Sequence, residues 1–453
     1  MAEFTLDQVL AATGGSLKGL SAATAFSGVS TDTRTLKAGD LFVALKGEKF
    51  DAHDFLDKAA AAGAAGVVVH NDAVAVPRGV TAVLVADTLA ALQELAGYHR
   101  RRFTLPVVGI TGSNGKTTTK DMVAAVLASR FKVLKTEANF NNDIGLPLTL
   151  LNLDASHTAA VVEMGMRGRG QIARLAAVAR PTVAVVTNVG ETHVEVLGSI
   201  DNIAAAKGEL VEAIGADGLA ILNADQPLVA AMQAKTPARK LFYGLGQAAD
   251  VRAANVAVGR RETAFECQAA GGSFAVTLPA VGRHNVYNAL AAIAAGLGLG
   301  LSHDEIRSGL ATFAASPMRL HIETIGDYTV INDAYNASPL SMHAAIDTLR
   351  TVAPGRMVAV LGDMLELGEM AEAAHKRVGE ELADAGVQVV ITVGHFARYI
   401  AAAALAGGVD VTVACGGHAE AQEALRKLLR PGDMVLIKGS RGMKMEKMLE
   451  VFK

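Results

Sequence analysis

Tryptophan is absent from this chain of 453 residues, and aromatic residues make up only 4% of it. Cores rich in aromatic rings are therefore excluded, and the cores must be built from small aliphatic side chains packed closely on sheets and helices. The hydrophobic share of 51% and the 46 glycines are typical of an α/β protein. A chain of this length is expected to form two or three domains, each with its own buried core.

Cysteine is scarce as well. The two cysteines, Cys267 and Cys415, are far apart in the sequence and outside any metal-ligand spacing. This arrangement suggests neither a disulfide framework nor a zinc site. Both side chains are therefore expected to be ordinary core residues.

An excess of one charge is also missing, because 42 Lys and Arg nearly balance 45 Asp and Glu and leave a net charge of -3. No broad field is available to attract nucleic acid, so any phosphate must be bound locally. The longest apolar run, residues 289–301, is too short for a bilayer, and the first ten residues lack a basic start. We expect a cytoplasmic protein without membrane insertion.

Strand-like runs alternate with helical patterns through the chain, which predicts doubly wound, mainly parallel sheets in an α/β fold. The predicted strands are residues 40–45, 65–70, 106–110, 159–163, 183–187, 219–223, 328–331, 357–361, 387–392 and 434–437, and the clearest helices are 88–101, 118–127 and 285–297. We predict three domains: a small N-terminal α/β domain (1–86), a central domain (87–315) and a C-terminal Rossmann-like domain (316–453).

A glycine-rich segment, Thr111-Gly-Ser-Asn-Gly-Lys-Thr-Thr118, lies between a predicted strand and a predicted helix. This is the context of a phosphate-binding loop, in which backbone N–H groups and the helix dipole meet an anion and Lys116 adds a full charge. Thr117 is then positioned to bind magnesium. Only two residues separate Gly112 from Gly115, where the usual pattern has four, so a tight turn with a solvated lysine is the alternative.

The shortened loop resembles the ATP loop of the Mur ligase family, which also includes folylpolyglutamate synthases. Other stretches follow in the family's order: Glu163-Met-Gly-Met166, Asn188-Val-Gly-Glu-Thr-His193, Ala206-Lys-Gly-Glu209, Gly282-Arg-His-Asn-Val-Tyr-Asn288, Met318-Arg-Leu320 and Asn332-Asp-Ala-Tyr-Asn-Ala-Ser-Pro339. The resemblance runs from Ser30 to the C-terminus. Residues 30–53, 163–165 and 362–368 are most similar to the member that adds D-alanyl-D-alanine to UDP-N-acetylmuramoyl-tripeptide.

The resemblance implies an ATP-dependent peptide ligase that works through an acyl phosphate and acts as a monomer. It implies an N-terminal domain for the UDP substrate, a central domain for ATP and a C-terminal ligase domain. Expected ATP contacts are Gly112, Ser113, Asn114, Gly115, Lys116, Thr117, Thr118, His284, Asn285, Asn288, Arg319 and Asp333. Expected substrate contacts are Ser30, Thr31, Asp32, Thr33, Arg34, Lys46, Gly47, His53, Tyr335 and Asn336.

The resemblance also implies two magnesium ions, held by Thr117, Glu163, His193 and Lys207, with the lysine carbamylated so that a cation becomes an anion. The expected catalytic residues are Lys116, Glu163, His193, Lys207 and Arg319.

Plainer interpretations of the same residues remain open. Glu163 alone is a common strand-end carboxylate, His193 a structural histidine and Lys207 a solvated helix lysine. Asn285 can cap its helix, Arg319 and Asp333 can form an interdomain salt bridge, and residues 30–34 can be polar turn residues.

Three other functions compete with this prediction. They are another amide ligase of the same family, acting on a different amino acid or on folate; a phosphate-loop switch or phosphotransferase with no ligase step; and a non-catalytic nucleotide-binding scaffold. The Asp-Asn-Pro-Arg string of the family member that adds a diamino acid does not occur in the chain. The third residue of the peptide, lysine or diaminopimelate, stays open.

Overall fold

The computed structural model of the chain describes residues 2–19, 22–48 and 50–453. Its N-terminal elements are β1 (Phe4–Thr5), α1 (Leu6–Thr13), β2 (Ser16–Lys18), β3 (Ala25–Phe26), β4 (Val29–Ser30), β5 (Leu41–Val43), α2 (Leu56–Ala61), β6 (Gly66–Val69) and β7 (Thr81–Leu84). Strands β4 to β7 are parallel neighbours, and β2 joins β7 antiparallel. The strands predicted over residues 40–45 and 65–70 contain β5 and β6.

The middle of the chain builds the largest sheet. Its elements are α3 (Thr88–Arg100), β8 (Val107–Thr111), α4 (Lys116–Leu127), β9 (Val133–Lys135), α5 (Gly145–Leu150), β10 (Ala159–Glu163), α6 (Gln171–Ala179), β11 (Val183–Val186), α7 (Val194–Leu197), α8 (Ile200–Glu212), β12 (Leu219–Asn223), α9 (Pro227–Ala230), β13 (Arg239–Gly244), β14 (Val251–Val258), β15 (Thr263–Ala269), β16 (Gly272–Leu278), α10 (Arg283–Gly298) and α11 (His303–Ala311).

The strand order of this sheet is β16-β15-β14-β13-β12-β11-β8-β10-β9. Strands from β9 to β14 are parallel, whereas β14, β15 and β16 form antiparallel hairpins. In this sheet β8 comes first in the chain, and later strands are added on both sides of it. The prediction of a doubly wound, mainly parallel sheet is therefore confirmed. The antiparallel extension was not predicted.

Both faces of the central sheet are covered, which explains why its strands are continuous apolar runs. In β11, Val183 and Val185 pack in one core with α4 and α10, while Ala184 and Val186 pack in the other with α3, α6 and α8. The second core also includes Phe4 of the N-terminal unit, so that unit packs directly against the central one.

The C-terminal elements are β17 (His321–Ile325), β18 (Tyr328–Asp333), α12 (Pro339–Val352), β19 (Met357–Gly362), α13 (Ala371–Asp384), β20 (Val389–Val393), α14 (Ala397–Ala406), β21 (Val411–Cys415), α15 (His418–Leu428) and β22 (Met434–Lys438). Their strand order is β17-β18-β22-β19-β20-β21, parallel except for β17. Cys267 and Cys415 are buried in cores, as expected. The domain limits 1–86, 87–315 and 316–453 stay predictions.

Parallel register brings several polar residues to one edge of the central sheet. Glu163 at the end of β10 is paired with Ile110 of β8, and Val186 of β11 is paired with Thr111. The carboxyl ends of these strands therefore meet where the glycine-rich loop begins, at the edge where doubly wound sheets bind ligands. Within the described residues, every helix is too short or too polar to cross a bilayer.

Candidate active site

A cavity of about 1640 Å³ lies between the central unit and the C-terminal unit. Fifteen of the predicted site residues line it: Ser113, Asn114, Gly115, Lys116, Thr117, Thr118, Glu163, His193, His284, Asn285, Asn288, Arg319, Asp333, Tyr335 and Asn336. Gly112, Lys207 and the N-terminal residues between 30 and 53 are not among the described residues that line it.

The glycine-rich loop has the backbone that its two glycines permit. Gly112 has φ 154° and Gly115 has φ 78°, a region that L side chains rarely adopt. A Cβ at Gly112 would lie 1.8 Å from the Thr187 hydroxyl oxygen, and one at Gly115 would lie 2.6 Å from the Asn288 side-chain oxygen. Both positions therefore require glycine for space as well as for conformation.

Lys116 begins α4 and folds back over its own loop. Its Nζ donates to the carbonyl oxygens of Gly112 at 2.8 Å and Ser113 at 3.3 Å. Burial lowers the pKa of Lys116, with Glu163 raising it and Arg319 lowering it. The alternative of a solvated lysine in a simple turn does not match this environment.

Glu163 joins the loop to the neighbouring strand. The Thr117 hydroxyl donates to Glu163 Oε2 at 2.8 Å, and Asn141 Nδ2 donates to Oε1 at 2.7 Å. The Glu163 N–H donates to the Thr136 hydroxyl at 3.1 Å. Only 2% of Glu163 is exposed, so it is not an ordinary surface carboxylate.

Lys207 on α8 and His193 before α7 complete a group of basic side chains near Lys116. Lys207 is 2% exposed, and burial, then the charge of Lys116, holds its pKa well below the usual value. Burial also lowers the pKa of His193, which Glu366 raises and the two lysines lower. The solvated helix lysine that the isolated sequence favours is therefore wrong for Lys207.

The start of α10 lies against the loop. Asn285 Nδ2 donates to the Val281 carbonyl at 2.8 Å, Asn288 Nδ2 donates to Asn285 Oδ1 at 3.0 Å, and the Thr119 hydroxyl donates to Asn288 Oδ1 at 3.1 Å. These bonds fix both amides on the cavity wall. The neighbouring His284 has its pKa lowered to about 4, first by burial and then by Lys438.

Arg319 and Asp333 do not form the interdomain salt bridge considered as an alternative. The Arg319 guanidinium stacks on the Tyr335 ring, 4.0 Å from its centroid. Asp333 accepts a hydrogen bond from the Leu320 N–H at 3.0 Å and forms a buried ion pair with Lys438. Parallel pairing of β18 with β22 places Asp333 opposite Lys438.

One direct contact joins the glycine-rich loop to the C-terminal unit. The Ser338 hydroxyl, which caps α12, donates to Asn114 Oδ1 at 2.9 Å. The loop also bonds to the end of β11, where Asn188 Oδ1 accepts from the Asn114 N–H at 2.8 Å. Asn114 Nδ2 is buried and has no hydrogen-bond partner among the described residues. That donor is free to meet an acceptor brought by a ligand.

The predicted UDP-substrate residues lie in loops of the N-terminal unit. Asp32 and Arg34 form an ion pair in which the Arg34 hydrogen bonds lower the pKa of Asp32 to about 2. His53 Nδ1 bonds to Asp51 at 2.6 Å, and its Nε2 accepts from the His70 N–H at 3.2 Å. Both ring nitrogens of His53 are thus engaged inside the protein.

The other predicted substrate residues make polar contacts within the N-terminal unit. Ser30 Oγ donates to the Asp32 carbonyl at 3.1 Å, and Lys46 Nζ lies 3.8 Å from the Asp51 carboxylate. Gly47 N–H donates to the Phe50 carbonyl at 2.9 Å. Thr31 precedes Asp32, and Thr33 begins the turn that follows it. Their substrate roles stay predictions.

The sequence reasoning missed several residues that line the site, among them Asn141, Lys438 and Glu366. Asn141 gave no signal. Lys438 follows the buried run at residues 434–437, and the rule that singled out Glu163, a charged residue ending an apolar strand, would have found it. Glu366 lay inside the similar stretch at residues 362–368 but was given no role.

Comparison with known families assigns most of the chain. Residues 110–296 match the family "Mur ligase middle domain", and residues 318–441 match the family "Mur ligase, glutamate ligase domain". Residues 25–100 match the family "Mur ligase family, catalytic domain". The three matched segments contain the motifs on which the resemblance to Mur ligases was based.

Individual relatives match nearly the whole length of the chain. The UDP-N-acetylmuramoyl-tripeptide--D-alanyl-D-alanine ligase of Bacillus subtilis is 41% identical over 430 residues, 94% of this chain and 93% of the relative. The enzyme of the same name from Escherichia coli is 40% identical over 459 residues, covering 99% and 98%.

Solved structures agree. MurF from Acinetobacter baumannii superposes with a TM-score of 0.92 at 33% identity, covering 100% of this chain and 99% of that one. MurF ligase from Thermotoga maritima in complex with ADP superposes with a TM-score of 0.84 at 30% identity, covering 94% and 96%.

Proposed function

The chain belongs to the Mur ligase family, and we propose that within it the protein joins D-alanyl-D-alanine to UDP-N-acetylmuramoyl-tripeptide at the expense of ATP. The products are the UDP-muramoyl-pentapeptide of peptidoglycan synthesis, ADP and phosphate. Near full-length relatives at 41% and 40% identity carry this activity in their names. The rival amide ligases are not favoured. The solved diaminopimelate ligase and folylpolyglutamate synthase to which this chain is similar share only about 20% of its sequence.

The observation that carries the proposal is the shared cavity. Lys116 and Glu163 of the central unit and Arg319 at the junction line one space and influence one another electrostatically. A phosphate-loop switch does not require a second unit that closes over its loop, whereas a ligase must enclose three substrates. The Ser338–Asn114 hydrogen bond shows that the two units meet at the loop itself.

ATP phosphates are proposed to bind at the N-terminus of α4, where the N–H groups of residues 112–118 and the helix dipole favour an anion. The buried, unpartnered Asn114 Nδ2 supports this, because an acceptor must reach it for its hydrogen-bonding capacity to be used. The amides of Asn285 and Asn288 are proposed to lie beside the base. The stacked Arg319 is proposed to contact a phosphate, for which its permanent charge and forked donors are suited.

Magnesium fits the donor set that is present. The Thr117 hydroxyl and the Glu163 carboxylate, with oxygens 2.8 Å apart, are the hard ligands that this cation prefers. No group of three or more His, Cys, Asp or Glu within residues 2–19, 22–48 and 50–453 is arranged to hold a metal. That is compatible with a cation that takes most of its ligands from ATP and water. Bound there, it would offset negative charge on the phosphates.

A carbamate on Lys207 is part of the proposal. Carbamylation requires a neutral amine, and burial, together with the charge of Lys116, lowers the pKa of Lys207 and so raises the share of neutral amine. The product would place a negative charge among Lys116, His193 and a second cation. Carbon-13 NMR with labelled bicarbonate tests it: a carbamate signal is expected in the wild type and should vanish in Lys207→Met.

In the proposed mechanism, the terminal carboxylate of the tripeptide attacks the γ-phosphorus of ATP, the bond to the bridging oxygen breaks, and ADP leaves. The amine of D-alanyl-D-alanine then adds to the acyl carbon, loses a proton, and expels phosphate from the tetrahedral intermediate. Lys116 and Arg319 offset the repulsion between carboxylate and polyphosphate. The enclosing loops orient the substrates and keep water from the acyl phosphate.

A phosphate-release assay tests the proposal. Release should require ATP, the UDP-tripeptide and the dipeptide together, and Lys116→Ala should abolish it while leaving the thermal unfolding curve intact. Lys427→Ala, which removes an exposed lysine outside the cavity, is the matched control. Release without the dipeptide would favour a phosphotransferase, and a different preferred amine would favour another ligase of the family.

Cytoplasmic location belongs to the same proposal, since ATP and nucleotide-linked substrates are made inside the cell. A monomeric state is proposed as well. Light scattering at assay concentrations checks the oligomeric state. A panel of tripeptides ending in lysine or diaminopimelate identifies the accepted substrate.

A further inference from the structure

A loop of the C-terminal unit contacts His193, one of the residues proposed to hold a cation. Residues 363–370, which join β19 to α13, lie beside the turn that precedes α7. The Glu366 carboxylate bonds to His193 Nδ1, and the Glu195 N–H donates to the Glu366 carbonyl at 3.4 Å. A Cβ at Gly368 would lie 3.5 Å from Glu195. The loop and the turn are thus packed together through backbone as well as side chains.

Both partners of the side-chain contact have an unusual backbone. His193 has φ 60° and Glu366 has φ 63°, in the left-handed region that non-glycine residues seldom adopt. A residue in this conformation is strained and persists only where its surroundings impose it. Two of them meeting where the central and C-terminal units contact at the cavity wall point to a functional geometry.

The direction of the hydrogen bond has a chemical consequence. When Nδ1 carries the hydrogen and donates it to a carboxylate, Nε2 keeps its lone pair, which is the form of histidine that binds metal ions. Both residues line the cavity. A nearby second contact, between Arg377 and Glu191 at 3.2 Å, is half exposed and contributes little by itself.

We propose that Glu366 is a positioning residue, which orients the His193 imidazole and fixes the tautomer that can bind a divalent cation. The inference deepens the proposed function and rests on it. Because Glu366 comes from the C-terminal unit, the cation site is complete only when that unit is docked. Cation binding and docking must then favour each other by the same factor.

Manganese binding, measured by electron paramagnetic resonance with ADP present, tests the inference without turnover. The difference between wild type and His193→Ala defines the histidine-dependent site. Glu366→Ala should weaken this site about 10- to 100-fold, as expected for loss of a partner that orients a metal-binding histidine. Glu366→Gln should lose less, since an amide oxygen still accepts. Glu369→Ala, an exposed glutamate on the same loop, should match the wild type.

Hydrogen exchange of residues 191–197 gives a second measurement. At a manganese concentration near the wild-type dissociation constant, their protection should increase in the wild type and increase much less in Glu366→Ala. Wild-type manganese affinity in Glu366→Ala would overturn the inference, as would equal weakening in Glu369→Ala or the absence of any histidine-dependent site. Failure of the wild type to ligate, with these manganese effects intact, would refute the proposed function and leave the positioning role in place.

Discussion

Replacing Lys438 by methionine is expected to destabilise the C-terminal unit strongly. Lys438 has 1% of its side chain exposed and Asp333 has 12%, so the variant leaves a buried carboxylate without its cation. It also removes the donor to the Asn336 carbonyl at 3.0 Å. Breaking one side of a buried ion pair costs about 3–5 kcal/mol, mainly because the remaining charge stays buried.

The size of this effect sets the measurement. For a unit of this size, about 3–5 kcal/mol corresponds to a fall in Tm on the order of 10 °C, which scanning calorimetry of the full chain resolves. The double variant Lys438→Met, Asp333→Asn removes both charges and should regain at least half of the loss. Lys427→Met, which breaks a pair with 70% and 67% of its side chains exposed, should lower Tm by less than about 3 °C.

The reasoning would be refuted by a Lys438→Met variant that unfolds at the wild-type temperature. It would also be refuted if the double variant were no more stable than the single one, because the cost would then come from lost packing and not from an unpaired charge. Burial already raises the pKa of Asp333 against the opposing lysine. Loss of the lysine should therefore raise this pKa further.

Two more changes test the cavity wall. Gly112→Ala should abolish ADP binding in calorimetric titration, since its Cβ would overlap the Thr187 hydroxyl. The control is Gly300→Ala, because Gly300 also has a positive φ but has nothing within 4 Å of its Cβ position. It should lower the free energy of unfolding by about 1 kcal/mol and leave ADP binding unchanged. The pKa of His284 falls from 6.5 to about 4 on folding, so its share of stability is present above pH 6.5 and is lost as pH falls to about 4, roughly 3 kcal/mol in all. His284→Gln should flatten the dependence of Tm on pH across that range.

Local pattern was sufficient for the four adjacent parallel strands β8, β10, β11 and β12 of the central sheet, whereas the parallel strands β9 and β13 were not predicted. The strands predicted over residues 159–163 and 219–223 match β10 and β12 in full, because strands covered on both faces are continuous apolar runs that end abruptly at a polar residue. The antiparallel hairpins at residues 251–278 were missed. Their half-exposed, alternating side chains give a weaker signal than a buried strand.

The candidate site divides in the same way. Residues 112–118 were found because the loop, its glycines and its helix are contiguous in the chain and their roles follow from spacing. The partners Asn141, Glu366 and Lys438 were not found, since each meets its counterpart across more than 20 intervening positions of the sequence.

The amino-acid order alone thus specified the α/β class, the phosphate loop and the ordered motifs that identify the family, because these depend on short-range periodicity and on residues adjacent in the chain. Packing of distant segments settled which side chains pair. Whether Asp333 meets Arg319 or Lys438, and whether Lys207 is solvated or buried, depends on strand register and on how separate units dock, which no local spacing encodes.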